Sequence, residues 1–306
     1  MIGPAGDRAP IVSVIIVFWN EASFIAQAMD SVLAQTYDDW ELILVDDGST
    51  DASTRVAQQY ARQHPRKVRY FEHPLHENRG MSASRNLGLR HARGRYVGFL
   101  DADDAWFAQT LEEQVSTLEA WPKAAMVYGP LEWWYSWTGK PADAGRDRVE
   151  ELGVPSDSLV KPPTLLALFL RDKAAVPSGM LIRREVVERV GGFEDQFRGE
   201  YEDQVFCAKV CLRELVFASS RCWYRYRQHE NSAVAVGLRT GATHAARLTF
   251  LSWLAGYLRR QKVRSIAIWW AFRLELWRLT HPRLFALADR AGRMVGRLAA
   301  RVPNRA

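Results

Sequence analysis

The segment Tyr96-Val97-Gly98-Phe99-Leu100-Asp101-Ala102-Asp103-Asp104 reads as an apolar strand that empties into three carboxylates. A buried strand ending in clustered negative charge is costly unless a cation or a ligand meets it. Carboxylates so placed suit a divalent metal with a phosphate behind it. Acidic pairs recur at other element ends, as Asp46-Asp47, Glu194-Asp195 and Glu202-Asp203.

Outward from this strand the pattern repeats. Ile11 to Phe18 is an apolar run of strand length, and Phe24, Ile25, Ala28, Val32 and Leu33 follow at helical spacing. Further strands are predicted over Glu41 to Val45, Val68 to Phe71 and Ala124 to Tyr128, and helices over Asp51 to Gln63, Ser82 to His91 and Phe107 to Glu119. Such alternation predicts an α/β fold with a Rossmann-like, mostly parallel central sheet flanked by helices. Ligands in such sheets lie beyond the carboxyl ends of the strands. Asn20-Glu21, Asp46-Asp47 and Asp101 to Asp104 all fall there. The stretch from Glu132 to Pro163, with Trp133, Trp134, Tyr135 and Trp137, predicts a long loop or small insertion near the site. Its aromatics either stack on a sugar or cover the domain. Helices are expected again over Leu165 to Leu170, Arg184 to Val190 and Asp203 to Arg213, and a short strand over Cys222 to Arg227.

The chain has 306 residues, enough for one large α/β domain or two smaller ones. An apolar fraction of 48% with 12 Trp excludes a disordered chain. Cys207, Cys211 and Cys222 make no disulfide framework and read as buried apolar thiols. The N-terminus has no signal-peptide pattern and no stretch is apolar for long enough to span a bilayer, so a cytoplasmic protein is expected, in solution or on a membrane surface. No GxxxxGK[ST] is present, and no GxGxxG follows the first strand, so a glycine-rich phosphate cradle is absent.

Charge divides the chain. Residues 247–306 hold 13 Arg and Lys against 2 acids, leaving the first 246 residues at −5 of the overall +6. After Thr240 the pattern is helical, with one stripe of Phe250, Trp253, Leu254, Tyr257 and Leu258. A second runs Ile266, Trp269, Trp270, Arg273 and Trp277. A third begins at Leu284, Leu287 and Ala288 among Arg290, Arg293, Arg297 and Arg301. Basic helices rich in Trp suit a lipid interface, so residues 247–306 are expected to meet an anionic membrane surface. Packing onto the body, or a homo-oligomer contact, is the alternative. No nucleic-acid reading motif accompanies the charge.

The motifs taken in order resemble glycosyltransferase family 2. They are Ser13 to Glu21, Ser31 to Tyr37, Trp40 to Asp51, Asn78-Arg79-Gly80, Ser84 to Gly88 and Gly94 to Asp104. As a set they are highly specific and cover about the first 130 residues; a weaker likeness runs to about Ser232. The resemblance implies the GT-A fold and an inverting transfer from a nucleotide-diphosphosugar, such as a UDP-sugar, aided by Mn²⁺ or Mg²⁺. It implies a catalytic domain over 1–240, with its donor half near 10–130 and its acceptor half near 131–240, and an extension over 241–306. By the same resemblance, Val17, Trp19 and Glu21 line the base pocket and Asp47 accepts the imide N–H of the base. Arg85 lies near the diphosphate or at the edge of the site, Asp101 and Ala102 belong to the acidic motif, and Asp103 is its metal ligand. Asp203 is the base, with Glu202 its neighbour. His229 binds the diphosphate or the metal, Arg227 assists, and Gly179 lies near the acceptor sugar; Trp133 and Trp134, from their aromatic character, are further acceptor candidates. The implied acceptor is a saccharide or lipid-linked saccharide of a surface glycan. The alternatives are a sugar nucleotidyltransferase, which Trp19-Asn20-Glu21 suits poorly, and a non-catalytic glycan- or membrane-binding protein on the same fold.

Overall fold

In the computed structural model, which describes residues 9–285, Val12–Phe18 forms β1 and Ile25–Leu33 forms α1. The chain continues through β2 (Trp40–Asp46), α2 (Ser53–Gln63), β3 (Val68–Glu72), α3 (Met81–His91), β4 (Tyr96–Asp101), β5 (Ala105–Trp106), α4 (Thr110–Ala120) and β6 (Met126–Tyr128). The middle of the chain forms β7 (Leu131–Trp134), β8 (Arg148–Val149), β9 (Ser158–Val160), α5 (Thr164–Phe169), β10 (Leu181–Arg183) and α6 (Arg184–Val190). Then follow α7 (Glu202–Cys211), β11 (Val216–Ala218), β12 (Tyr224–Arg227), α8 (Ala233–Thr240), α9 (Ala242–Arg260) and α10 (Ile266–Thr280).

Eight strands make the main sheet, in the order β3-β2-β1-β4-β10-β6-β11-β9. The first four run parallel, and β10 enters antiparallel between β4 and β6. β1 and β2 are buried along their whole length, which explains their unbroken apolar runs: a parallel strand covered on both faces has no solvent side. Successive side chains point to opposite faces. Ile15, Val17, Ile43 and Val45 join one core, while Val14, Ile16, Leu42 and Leu44 join the other. The register aligns Phe18 with Asp46 and Val17 with Asp101, so the acidic ends of β2 and β4 finish on one edge with the end of β1, shortly before Glu21.

A second, four-stranded sheet runs β5-β12-β7-β8. It corrects two expectations. The predicted loop over Glu132 to Pro163 contains most of β7, with β8 paired to it, and β9; β7 and β9 take their other partners, β12 and β11, from further along the chain. The helix expected from Phe107 begins at Thr110, because Ala105–Trp106 pairs with β12.

The stripe Phe250, Trp253, Leu254, Tyr257 and Leu258 does not face a bilayer. Phe250, Trp253, Leu254 and Leu258 are buried in the core cluster that also holds Val205 and Phe206 of α7, and Tyr257 packs against it. Tyr201 stacks on Phe250 with ring centroids 5.6 Å apart. On α10, Ile268, Ala271 and Phe272 join the same core, and the buried Glu275 pairs with Arg247 and with Arg278. Helix packing onto the body thus explains α9 and one face of α10. Leu287, Ala288 and the arginines from Arg290 onward lie outside the described residues. Among the described residues no helix is long and apolar enough to cross a membrane.

Candidate functional site

Beyond β4 the three aspartates separate at once. Asp104 is fully buried; its Oδ1 accepts the Arg227 backbone N–H at 2.7 Å and its Oδ2 accepts the Tyr224 hydroxyl at 2.5 Å. Burial, then the charges of Asp103 and Asp101, hold its carboxyl well above the usual range. It fastens β12 beneath the strand end and caps no helix. Asp101 Oδ1 accepts from Arg85 Nη2 at 2.7 Å, and the Tyr224 hydroxyl reaches its Oδ2 at 3.3 Å. Asp103 Oδ2 lies 3.0 Å from His229 Nε2. Gly179, at φ +55°, makes room for this floor, since an added Cβ would sit 2.8 Å from the Tyr224 Cβ. That places Gly179 against Tyr224, and its carbonyl accepts from Gln114.

Arg85 is the link between the two halves. From α3 it donates to Asp101 and, through Nη1, to Glu202 Oε1 at 2.8 Å. It is buried and lies over the Phe193 ring at 5.2 Å. Of the two places expected for Arg85, beside a diphosphate or at the edge of the site, the structure spends its fork on two carboxylates at the edge. Glu202 is committed to Arg85 as well. Burial pushes Glu202 up, while Arg85 pulls it down. Asp203, the next residue on α7, is only half-buried and accepts a hydrogen bond from the Gln204 N–H. Its carboxyl is raised by burial against the pull of Arg85.

Trp19, 54% exposed, stands at the end of β1. Asn20, at φ 58°, ties this end to the next loop: its Oδ1 accepts the Thr50 N–H at 2.7 Å and its own N–H donates to Ser49 Oγ. Glu21 is pushed up to about 7, first by burial and then by Asp103, with His229 opposing. Val17 and Ala102 are buried and offer the site only backbone. Asp47 lies at the expected strand end but is not an open acceptor. It accepts from the N–H groups of Arg79 and Gly80 and from Ser84 Oγ, so it holds the 78–80 loop. Gly48, at φ +78°, lets that loop close over it; an added Cβ would lie 2.7 Å from the Asn78 nitrogen.

Two further expectations change. Arg227 is 1% exposed and boxed by Phe24, Trp134 and Trp137 at 4.7, 4.5 and 5.0 Å. Its Nε donates to the Asp103 carbonyl and its Nη2 to Gln27 Oε1. It shapes the acidic loop and cannot reach a phosphate. Trp134 is buried in that box, and the half-buried Trp133 packs edge-on to Tyr226, so of the two readings, a sugar platform or a cover for the domain, both rings fit the second.

Two places merit comparison as cation sites. Asp46, Glu72 and His76 bring ligand atoms within 4.8 Å of one another. Both His76 ring nitrogens face acceptors, however: Nδ1 lies 3.0 Å from Glu72 and Nε2 2.8 Å from the Ser49 carbonyl. With acceptors on both sides each ring nitrogen is turned to donate, so neither presents a lone pair to an ion, and the same contacts raise the His76 pKa. The Asp103–His229 pair fits better. It offers one carboxylate and one imidazole, with Glu21, Asp51 and Asp101 adding negative charge. A small divalent ion commonly takes one or two protein groups and completes its shell with phosphates and water.

The residues missed by sequence reasoning are Tyr224 and Asn20 as determinants of loop shape, and the buried fastening role of Asp104. Tyr224 follows Trp223 in a run of aromatic and basic residues, where nothing marks one hydroxyl as aimed at Asp104.

A family model described as Glycosyl transferase family 2 matches residues 13–191, more than half of the chain. Among curated relatives, the uncharacterized glycosyltransferase alr2836 of Nostoc sp. (strain PCC 7120 / SAG 25.82 / UTEX 2576) is 41% identical over 182 residues, 58% of this chain and 52% of that protein. The chain spans less than half the length of the first curated relatives it matches. Among solved structures, the mannosyltransferase PcManGT from Pyrobaculum calidifontis in complex with GDP-Man and Mn²⁺ superposes with a TM-score of 0.59 at 22% identity, covering 96% of this chain and 76% of that one. S. aureus TarS 1-349 in complex with UDP-GlcNAc does so with a TM-score of 0.58 at 19% identity, covering 72% and 60%. At these identities the likeness shows the fold, which is GT-A.

Proposed function

Because the chain belongs to glycosyl transferase family 2, we propose that it moves a sugar from a nucleotide-diphosphosugar to a hydroxyl of a saccharide or lipid-linked saccharide, inverting the anomeric carbon, in the making of a surface polysaccharide. One observation carries this reading: Arg85 ties Asp101, at the donor edge of the sheet, to Glu202, at the start of the helix that presents Asp203. A displacement needs a held leaving group and a base on the opposite side, and this bridge fixes the spacing between them.

In the proposed reaction Asp203 takes the proton of the acceptor hydroxyl as its oxygen bonds to the sugar carbon. Glu202 stays paired with Arg85 and positions it. Trp19 supports the base of the nucleotide, and the backbone at Val17 and Ala102 lines its pocket. Asp47 shapes the same pocket by holding the 78–80 loop. Asp103 and His229 would hold Mn²⁺ or Mg²⁺, which supplies positive charge to the departing diphosphate. Asp101 orients Arg85, and Asp104 with Tyr224 keeps the acidic loop in shape. Since no covalent sugar intermediate is invoked, no second carboxylate nucleophile is required.

One structurally similar protein was solved with UDP-GlcNAc and another with GDP-Man, and both bases carry a ring N–H beside a carbonyl. A hydrolysis and transfer panel of nucleotide sugars, with Mn²⁺ and with Mg²⁺, tests the reading. Asp103→Ala should lose metal-dependent turnover, while Asp203→Asn should bind donor and fail to transfer. Activity unchanged in both would overturn the assignment. Attachment to an anionic membrane is part of the proposal, narrowed to one face of α10 below.

A further inference from the structure

We infer that the outer face of α10, with the groove between it and the end of α9, docks on an anionic phospholipid surface. The inference rests on the membrane part of the reading above and names the face and the chemistry.

Ile266, Trp270 and Trp277 are 85, 52 and 37% exposed. Spaced by four and seven residues, they fall on one line of the helix, about 17 Å long at 1.5 Å per residue. Ile268, Ala271, Phe272 and Glu275 occupy the opposite face and are buried. This arrangement is unusual, because a helix already packed on one side ordinarily turns polar groups outward. Here the solvent side carries two indoles and an isoleucine.

The charges beside that line have one sign. Arg259, Arg260, Lys262, Arg264 and Arg273 are all exposed, and no ion pair among the described residues takes them up. The one carboxylate of α10, Glu275, is buried and held by Arg247 and Arg278. Arg259, Arg264, Ile266, Trp269, Trp270 and Arg273 together line a groove of about 500 Å³. Arginines over an indole floor suit a lipid phosphate with its glycerol carbons against the rings. Indoles prefer the headgroup level of a bilayer, where one edge is wet and the other apolar. A second copy of the chain is a poorer occupant, since a two-fold contact would set this cationic face against itself. The helix would lie in the plane of the surface.

The test uses the full chain, with vesicles of phosphatidylcholine with and without phosphatidylglycerol, sedimented at low and high salt. The chain should bind only the anionic vesicles, with a blue shift of Trp emission, and high salt should release it. Each arginine near such a surface contributes a factor of about five, so Arg264→Gln/Arg273→Gln should bind about 25-fold more weakly. Trp270→Glu/Trp277→Glu should lose the blue shift. These side chains lie outside the proposed reaction machinery, so donor hydrolysis should be unchanged in both variants; hydrolysis thereby reports on the transferase reading separately. Absent vesicle binding, or binding unaltered by both pairs of substitutions, would overturn the inference. So would a dimer that the substitutions dissolve, or tight duplex DNA binding in place of vesicle binding.

Discussion

Replacing Arg85 by Met isolates the bridge on which the two halves of the site depend. Arg85 donates to Asp101 at 2.7 Å and to Glu202 at 2.8 Å, and its guanidinium is buried. Removing one partner of a buried pair costs about 3–5 kcal/mol, because the other charge stays behind. Protonation limits the cost. Glu202 can escape its charge by binding a proton, which from an ordinary carboxylate value to neutral pH costs about 3.5 kcal/mol. The expected loss is therefore about 3 kcal/mol, or a fall in Tm of about 5 °C for a domain of this size. The sign with pH follows. With its folded-state pKa raised above the unfolded value, Glu202 binds more protons folded than unfolded, so stability falls as pH rises above the ordinary carboxylate range. In the wild type Arg85 opposes this shift without cancelling it, and removing Arg85 enlarges it. The deficit of Arg85→Met should be small near pH 5 and grow toward neutral pH. Arg85→Met/Glu202→Gln should recover most of it, because the stranded charge is gone. Thermal unfolding across pH measures all three chains. A deficit that is equal at both ends of the range, or not relieved by Glu202→Gln, would refute the ion-pair account.

Three more tests bear on the neighbouring groups. Tyr224→Phe should lower the denaturant midpoint by the equivalent of about 1–3 kcal/mol, because Asp104 is fully buried and loses a donor at 2.5 Å. Arg227→Lys should lower Tm by several degrees despite the retained charge, since an ammonium cannot fill a box of Phe24, Trp134 and Trp137; an unchanged Tm would show the box to be dispensable. Added Mn²⁺ should raise Tm more at pH 8 than at pH 5. Glu21 is raised to about 7, so without a cation the folded state loses stability between the ordinary carboxylate range and about pH 7, and a cation offsets that loss. Calorimetry with Asp103→Ala, in which the Mn²⁺ shift should vanish, checks that the ion acts there.

Long, strongly patterned elements were readable in the sequence because their signal is local. β1, β2 and β4 are apolar runs of six or seven residues, and their acidic ends were recognisable without knowing their neighbours. β10 and β11 were missed because three residues carry no period, and both owe their strand form to partners far along the chain. The same reason explains β7: Leu131–Trp134 looks like aromatic loop until Tyr224–Arg227 lies beside it. The C-terminal stripes illustrate another limit. A helical stripe shows that a face is apolar but not what it meets. The α9 stripe met the core, whereas Ile266, Trp270 and Trp277 on α10 did not. Side-chain roles were least legible where a charge has several candidate partners. Arg227 was expected, by the resemblance, to assist His229 at the diphosphate or the metal, yet three aromatic rings enclose it.

The acidic run after β4 shows why geometry must rank residues that composition treats alike. Three carboxylates within four positions cannot all keep their charge without partners, and each has been given a different one. Asp104 has fixed partners, a tyrosine hydroxyl and a backbone N–H, and no solvent. Asp101 has a permanent cation in Arg85. Asp103 alone faces a group whose bond to it is exchangeable, because the His229 ring can exchange a shared proton for a shared metal ion. A divalent ion competing for these residues displaces the least there: one proton, against a buried guanidinium at Asp101 and two hydrogen bonds at Asp104. The order of availability is therefore Asp103, then Asp101, then Asp104. It follows from what surrounds each carboxylate, since the side chains themselves are identical. Asp104→Asn should consequently act on stability before it acts on metal affinity, and Asp103→Asn in the reverse order. Calorimetric Mn²⁺ titrations of the two variants, beside their unfolding curves, separate these outcomes. If Asp104→Asn weakened Mn²⁺ binding while leaving stability intact, the ranking would be wrong.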